Sequence, residues 1–312
     1  MKFKTSRLVK TRLMSPRKGK FVLPRPRLTE RLRDAENHRI TILQAGTGYG
    51  KSTVLSMLAD THIPAVWYQL TDEDSDPLTF ISHILVGLDE ILGGFSPTPV
   101  AQFEEWEQNR LPSAGTILVD SLVNETAERL DSPLFLVLDD AHLLNQSDET
   151  CRLLNRFISH APSNLHIICA SRHPLKLGEL VMWRMYEELL EIHQDELAFT
   201  QEEIAQLFNE RYELVLDRAD LQSLHTQIEG WPIALPLIWQ SLQKQKDVGR
   251  SLAELSGSEN LFHYLTRVVV NQQPEHIQQF LKQTAVLRVL DVEICNQLRK
   301  AEDSQEILEH LQ

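Results

Sequence analysis

The ten residues from Gln44 to Thr53 read Gln-Ala-Gly-Thr-Gly-Tyr-Gly-Lys-Ser-Thr and carry the strongest chemical signal in the chain. In the loop Gly46, Thr47, Gly48, Tyr49 and Gly50, the glycines permit a backbone that wraps an oxyanion and turns its N–H groups inward. Lys51 then has the reach for the β- and γ-phosphates of a nucleoside triphosphate, and the Ser52 hydroxyl is suited to hold Mg²⁺. Ala45 stands where the strict pattern has glycine. That position makes the turn rather than touching phosphate, so a small residue is a mild departure.

A second signal is Leu134-Phe-Leu-Val-Leu-Asp-Asp140. An apolar run ending in two acids reads as a buried parallel strand that releases carboxylates at its C-terminal end, the edge where open α/β sheets bind ligands. Asp139 is placed to hold Mg²⁺ through water, and Asp140 to orient or deprotonate an attacking water. By itself the segment is also a strand-ending turn with acidic caps; the matching Lys51 upstream favours the chemical reading. Asn164-Leu-His-Ile-Ile-Cys-Ala-Ser-Arg172 is a third such strand. Arg172 leaves it where a γ-phosphate sensor belongs, with an ordinary surface arginine as the alternative. His166 and Cys169 on the same strand read as core residues.

The elements that position these groups follow from periodicity and turn signals. Phe21 to Arg27 is extended and proline-punctuated, and Leu28 to Asn37 reads as a short helix. Strands are expected at Arg39–Leu43 and Pro64–Leu70, and a helix at Lys51–Ala59. Asp76 and Pro77 open a helix that runs to Gly93-Gly94. The acidic stretch Asp72 to Asp76 ahead of it reads as a solvated cap, with a metal-bound phosphate as the other possible partner. Residues 95–112 read as loop with a short helix, Leu118 to Leu130 as an amphipathic helix, and Glu188 to Ile192 as a fifth strand. The connections are long enough for parallel crossovers. The expected fold class is therefore α/β, a P-loop NTPase with a five-stranded parallel sheet. Beyond residue 194 helical periodicity dominates. Thr200 with Glu203 forms a capping box, Gly230-Trp-Pro232 interrupts the helices, Ser256-Gly-Ser258 reads as a linker, and Leu261–Val270, His276–Val286 and Glu293–Lys300 read as further helices.

Composition limits the function classes. The chain has 312 residues, 42% of them hydrophobic and 24% charged, enough for two or three domains with real cores. No apolar run approaches a membrane span, there is no secretory h-region, and the three cysteines fit no zinc pattern. A cytoplasmic location is expected. The net charge of −13 is uneven: residues 1–20 carry eight Lys or Arg and no acid. The acidic remainder argues against a broad nucleic-acid surface. The basic arm itself reads first as a solvated tail, with a phosphate- or partner-contacting arm and an organellar transit peptide as alternatives.

Taken in order, Pro24-Arg-Pro-Arg-Leu28, the loop at 45–53, Trp67-Tyr-Gln-Leu70, Asp74-Ser-Asp-Pro77 with Phe80, Leu136-Val-Leu-Asp-Asp-Ala-His142, Ala170-Ser-Arg172, Glu196-Leu-Ala-Phe-Thr200 and Gly230-Trp-Pro232 form a recognisable set. The chain resembles the STAND class of signal-transduction ATPases, and within it the nucleotide-binding module of MalT-like bacterial transcription regulators. The resemblance implies a basic arm over 1–20, a P-loop domain over 21–194, an all-α helical lid over 195–256 and a partial, truncated winged-helix domain over 257–312. It also implies an ATP/ADP switch, resting with ADP bound, hydrolysing ATP slowly and self-associating when ATP-bound. By position, Lys51, Ser52 and Thr53 hold phosphates and Mg²⁺, Asp139 takes the metal, Asp140 the attacking water, and Arg172 senses the γ-phosphate. Pro232 packs on adenine, while Leu23, Pro24 and Arg27 line the base side.

The sequence departs from that pattern at Leu308-Glu-His-Leu-Gln312, where a winged helix is expected to turn into its β-wing. The histidine that usually follows the wing, a helical-repeat sensor and a C-terminal helix-turn-helix are not in the sequence. Sensor and effector domains are therefore expected outside this segment, weaker ADP retention is expected of it, and DNA binding is not. Two other readings stay open: a conventional enzyme, such as an AAA+ loader or a small-molecule kinase, and a nucleotide-binding scaffold without turnover.

Overall fold

Side chains alternate across a strand, and here the alternation divides the apolar runs between two cores. Ile40, Ile42, Leu134, Leu136, Leu138, Leu165, Ile167 and Cys169 enter one core. Leu43, Phe135, Val137, Ile168, Ala170, Leu190 and Ile192 enter the other. A sheet buried on both faces is what near-continuous apolar strands require. The structure is a computed structural model and describes residues 8–16, 19, 21–60, 62–243, 273–287 and 289–311. The expected linker at Ser256–Ser258 and the expected helix at Leu261–Val270 lie outside the described residues, as do residues 1–7, 17, 18 and 20 of the basic arm.

Two compact units divide between Ala198 and Phe199. In the first, β1 (Ile40–Gln44), β2 (Ala65–Gln69), β3 (Leu134–Asp139), β4 (Leu165–Ser171) and β5 (Leu189–His193) form one sheet in the order β2-β3-β4-β1-β5. Every pairing is parallel. The insertion of β4 between β1 and β3 sets the positions of all the candidate groups at the carboxyl edge.

Helix α1 (Pro26–Arg33) buries Leu28 and Leu32 on the second core. It starts earlier than the expected Leu28, because Pro26 is pre-set for the first turn, and a 3-10 turn continues it to Asn37. Helix α2 (Lys51–Ser56) follows the glycine loop and tightens into a 3-10 turn over Met57–Asp60. Helix α3 (Pro77–Ile91) is buried along most of its length.

The segment read as mostly loop over 95–112 is instead a full helix, α4 (Pro97–Asn109). Ser96 caps it by accepting from the Thr98 N–H, and Phe103 and Trp106, three residues apart, are both buried. Its polar majority hid that spacing. Helix α5 (Pro112–Arg129) begins six residues before the expected Leu118. Gly115 on α5 lets Trp106 approach so closely that a Cβ there would sit 2.7 Å from the indole ring. Helix α6 (Asp148–His160) packs on the first core, and the short α7 (Leu180–Met185) and α8 (Gln194–Leu197) flank β5.

A second difference concerns the basic arm. Arg12, on a 3-10 turn over Lys10–Leu13, is buried at 9% exposure rather than solvated. It pairs with Asp74, which is fully buried and so not part of a solvated cap. Lys10 also reaches back, to Glu90 at 2.5 Å. The three cysteines are buried thiols, and burial pushes Cys169 up to about 12.

In the second unit, α9 (Gln201–Tyr212) opens on the expected capping box: the Glu203 N–H donates to Thr200 Oγ1 at 3.2 Å, and the Thr200 N–H donates to the Glu203 carboxylate at 3.1 Å. Helices α10 (Arg218–Ile228) and α11 (Ala234–Gln243) follow, with Tyr212 stacked on Trp239 at 4.6 Å. Helices α12 (Glu275–Thr284), α13 (Val292–Arg299) and α14 (Ser304–Leu311) close a small core of Ile277, Phe280, Cys295 and Ile307. Leu308 therefore lies in a helix, not at the start of a β-wing. Arg299 spans this group, stacked 4.7 Å from the Phe280 ring centroid and bonded to Asp303 at 2.7 Å. Among the described residues no helix is long and apolar enough to cross a membrane.

Candidate functional site

The glycine loop leaves β1 through Ala45, whose N–H still bonds Ser171 of β4 at 3.2 Å. Ala45 is buried, so the small side chain required by the turn is supplied without glycine. Gly48 and Gly50 adopt φ values of 82° and 77°, a left-handed conformation that favours glycine. Tyr49 folds back against the second core. Thr47 sits at the tip, and Ser52 and Thr53 on the first turn of α2. Lys51 is only 7% exposed, and its Nζ donates to the carbonyls of Ala45 and Gly46 at 2.7 and 3.1 Å. Burial holds the ammonium pKa below its ordinary value; Asp140 and Asp139 oppose that shift, whereas Arg172 reinforces it.

Asp139 ends β3 and is 3% exposed. Its Oδ1 accepts the Asp140 N–H at 3.0 Å, while its Oδ2 is buried without a hydrogen-bond partner. Burial raises its pKa above the usual carboxylate value, opposed first by the neighbouring Ser52 hydroxyl. An orphaned carboxylate oxygen next to a helix-borne hydroxyl fits a hydrated divalent cation. Among the described residues no three His, Cys, Asp or Glu side chains are arranged as a metal cage. A cation here would depend on nucleotide oxygens for the rest of its ligands, as Mg²⁺ sites commonly do.

Asp140 occupies φ 60°, ψ 37°, a left-handed position costly for a residue with a Cβ. That turn swings its carboxylate among three side chains. Gln69 Nε2 donates to Oδ2 at 3.2 Å, Arg172 Nε lies 3.5 Å from Oδ1, and His142 Nδ1 lies 3.9 Å from Oδ1. Burial holds His142 below the ordinary imidazole value, and its ring meets His173 edge-on at 5.7 Å.

Thus Lys51, Ser52, Asp139, Asp140 and Arg172 converge at one sheet edge. Gln69, His142, His173 and Gln194, which hydrogen-bonds the Gly46 N–H at 3.1 Å, belong to the same edge; Gln69 and His142 stand in the quoted motifs without an assigned role, and His173 and Gln194 stand outside them. Gln69 had one available signal, its place as the last polar residue of a strand parallel to β3. Gln194 had none.

Leu23 is buried and Pro24 exposed. Arg27 does not stand free: its guanidinium donates to the carbonyls of Glu196 and Ala198, the latter at 2.6 Å. Buried Arg25 donates to the same Ala198 carbonyl at 2.8 Å. Pro232 belongs to the second unit, in the turn between Gly230 (φ 70°) and α11.

Known proteins match this arrangement. The AAA domain family matches residues 33–176, and the MalT winged helix domain family matches residues 266–312. The regulator named HTH-type transcriptional regulator MalT of Yersinia enterocolitica is 30% identical over 308 residues, 98% of this chain. The chain is similar to the MalT-like P-loop ATPases. The MalT of Yersinia pestis is similar at 29% identity over the same length. The chain spans 33% of the length of each of these relatives. A STAND protein with a tetratricopeptide repeat sensor from Pyrococcus horikoshii shares the fold at a TM-score of 0.52 and 15% identity, covering 95% of this chain and 40% of that one. The MalT-like assignment, the α/β P-loop fold and the winged-helix family over the C-terminal segment agree with the expectations from sequence. The AAA-type P-loop fold implies nucleotide binding.

Proposed function

We propose that the chain is the nucleotide switch of a multidomain regulator: it binds ADP in a resting form, exchanges it for ATP, self-associates, and returns through slow hydrolysis. The observation that carries this reading is the convergence of Lys51, Asp139, Asp140 and Arg172 at the end of the glycine loop. The loop N–H groups of Gly46 to Gly50 and the Lys51 ammonium bind the phosphate chain, assisted by Thr47, Tyr49 and Thr53. Ser52 and Asp139 hold Mg²⁺, which neutralises charge on the phosphates when bound. Asp140 orients the attacking water and accepts its proton. Arg172, released from Asp140, takes up the γ-phosphate charge. The Arg172–Asp140 pairing supports slow turnover, since it must open before either group can act.

Leu23, Pro24 and Arg27 are assigned to the base side and Pro232 to the adenine face, with domains over 21–194, 195–256 and 257–312. A cytoplasmic protein whose sensor and effector domains lie outside this segment, with DNA binding left to them, completes the reading. The test is to denature the purified chain and identify released nucleotide, alongside Lys51→Ala. ADP from the wild type only is expected. Absence of adenine nucleotide from both, with no binding on addition, overturns the proposal.

A further inference from the structure

The basic arm carries a buried cation, Arg12, that is separated from Asp140 by one residue, Gln69. We propose that Arg12 is a positioning residue for Asp140, acting through Gln69; this rests on the reading that Asp140 handles the attacking water.

The geometry runs in a continuous chain. Arg12 Nε donates to the Gln69 main-chain carbonyl at 3.0 Å, and the Gln69 side chain donates to Asp140 Oδ2 at 3.2 Å. The other end of the guanidinium pairs with Asp74, and its central carbon Cζ lies 5.4 Å from the Tyr68 ring centroid. Asp74 is fully buried and also takes the Tyr68 hydroxyl and the Thr71 N–H, the latter at 2.7 Å. One carboxylate thus gathers the end of β2, the turn after it and the arm. Around them, His83 stacks on Tyr68 at 4.8 Å and receives the Val9 N–H at 3.2 Å, so residues 9–12 are anchored at more than one point.

The turn that Arg12 closes touches the Asp140 segment a second time. Gln146, at the end of the 3-10 turn that Asp140 begins, donates to Asp72 at 3.0 Å. Residues 69–72 therefore contact Asp140 and the end of the turn that it begins, and the cation bonded to Gln69 comes from the arm. A guanidinium suits the task because its planar fork can serve a carbonyl and a carboxylate together. Among the described residues, 10–13 touch no loop glycine and reach the site through residues 69–72.

The experiment uses the full chain with Arg12→Lys, Arg12→Met, Gln69→Leu and the Arg12→Lys/Gln69→Leu double variant. ATP turnover and ADP affinity are measured for each. Arg12→Met is expected to lower kcat by about 100-fold, the scale of a displaced reacting group, with ADP affinity and KM held within about twofold. Arg12→Lys restores part of kcat. The double variant is no slower than Gln69→Leu alone, because the two act along one path. Unchanged kcat in Arg12→Lys and Arg12→Met, additive losses in the double variant, or loss of ADP affinity in step with kcat each overturns the proposal. Should Arg12→Met fail to fold, Arg12→Lys and its pairing with Gln69→Leu still decide. Wild-type chain that binds nucleotide without turnover overturns the underlying hydrolytic reading and this proposal with it, an outcome distinct from the others.

Discussion

Arg172 Nε stands 3.5 Å from Asp140 Oδ1, so the candidate γ-phosphate sensor and the candidate water-orienting acid face each other directly. The pair is half open to solvent on the arginine side and contributes little to stability. Its weight lies in the reaction. Arg172→Ala is expected to lower single-turnover ATP hydrolysis by about 100-fold, as for loss of one donor to developing charge. ADP affinity should change little, which equilibrium binding checks.

Lys51 is buried against two loop carbonyls, and its ammonium must leave them to meet phosphate. Lys51→Met keeps the aliphatic stem and removes the charge. Affinity for Mg-ATP should fall about 100-fold, or roughly 2.7 kcal/mol. Thermal melting of the nucleotide-free chain should hold, since a desolvated cation is lost along with its bonds.

Asp139 gives a pH prediction with a definite sign. Its pKa in the folded chain is raised above the unfolded value, chiefly by burial. The ionised form is thus penalised in the fold at neutral pH, and the penalty disappears as pH falls through the raised pKa toward the unfolded one. Asp139→Asn should therefore stabilise the nucleotide-free chain by about 1 kcal/mol at pH 7, less in mild acid, while abolishing Mg²⁺-dependent tightening of ATP. Chemical denaturation at two pH values and a Mg²⁺ titration test both parts.

Gly87 on α3 faces β2 so closely that an added Cβ would lie 2.5 Å from Val66 Cγ1. Alanine is the better helix former by about 1 kcal/mol, yet Val66 is β-branched and cannot swing aside. Overpacking should win, and Gly87→Ala should cost about 1–3 kcal/mol, read as a lower denaturation midpoint. Equal or greater stability would show that α3 can shift off the sheet.

Local chemistry was legible where a few neighbouring residues decide it. The glycine loop, the strand-ending Asp139 and Asp140, the Pro77 helix start and the Thr200–Glu203 capping box depend on spacing and backbone preference alone. Only a short helix is legible over 95–112, because the apolar signal of α4 is mainly Phe103 and Trp106, and their value appears only once Gly115 lets α5 close on them.

By itself, then, the sequence determined that a phosphate-binding loop follows β1 and that two acids end a buried strand, because glycine and aspartate carry those preferences wherever they stand. Only the tertiary structure decided what those groups meet. Strand pairing put β4 between β1 and β3, which set Arg172 against Asp140 and left one oxygen of Asp139 unpaired. It also drew Arg12, from a run that looks like a solvated tail, across 62 positions to Asp74. A buried charge is stable only beside its partner, and the partner's place is set by the register of strands far apart in the chain.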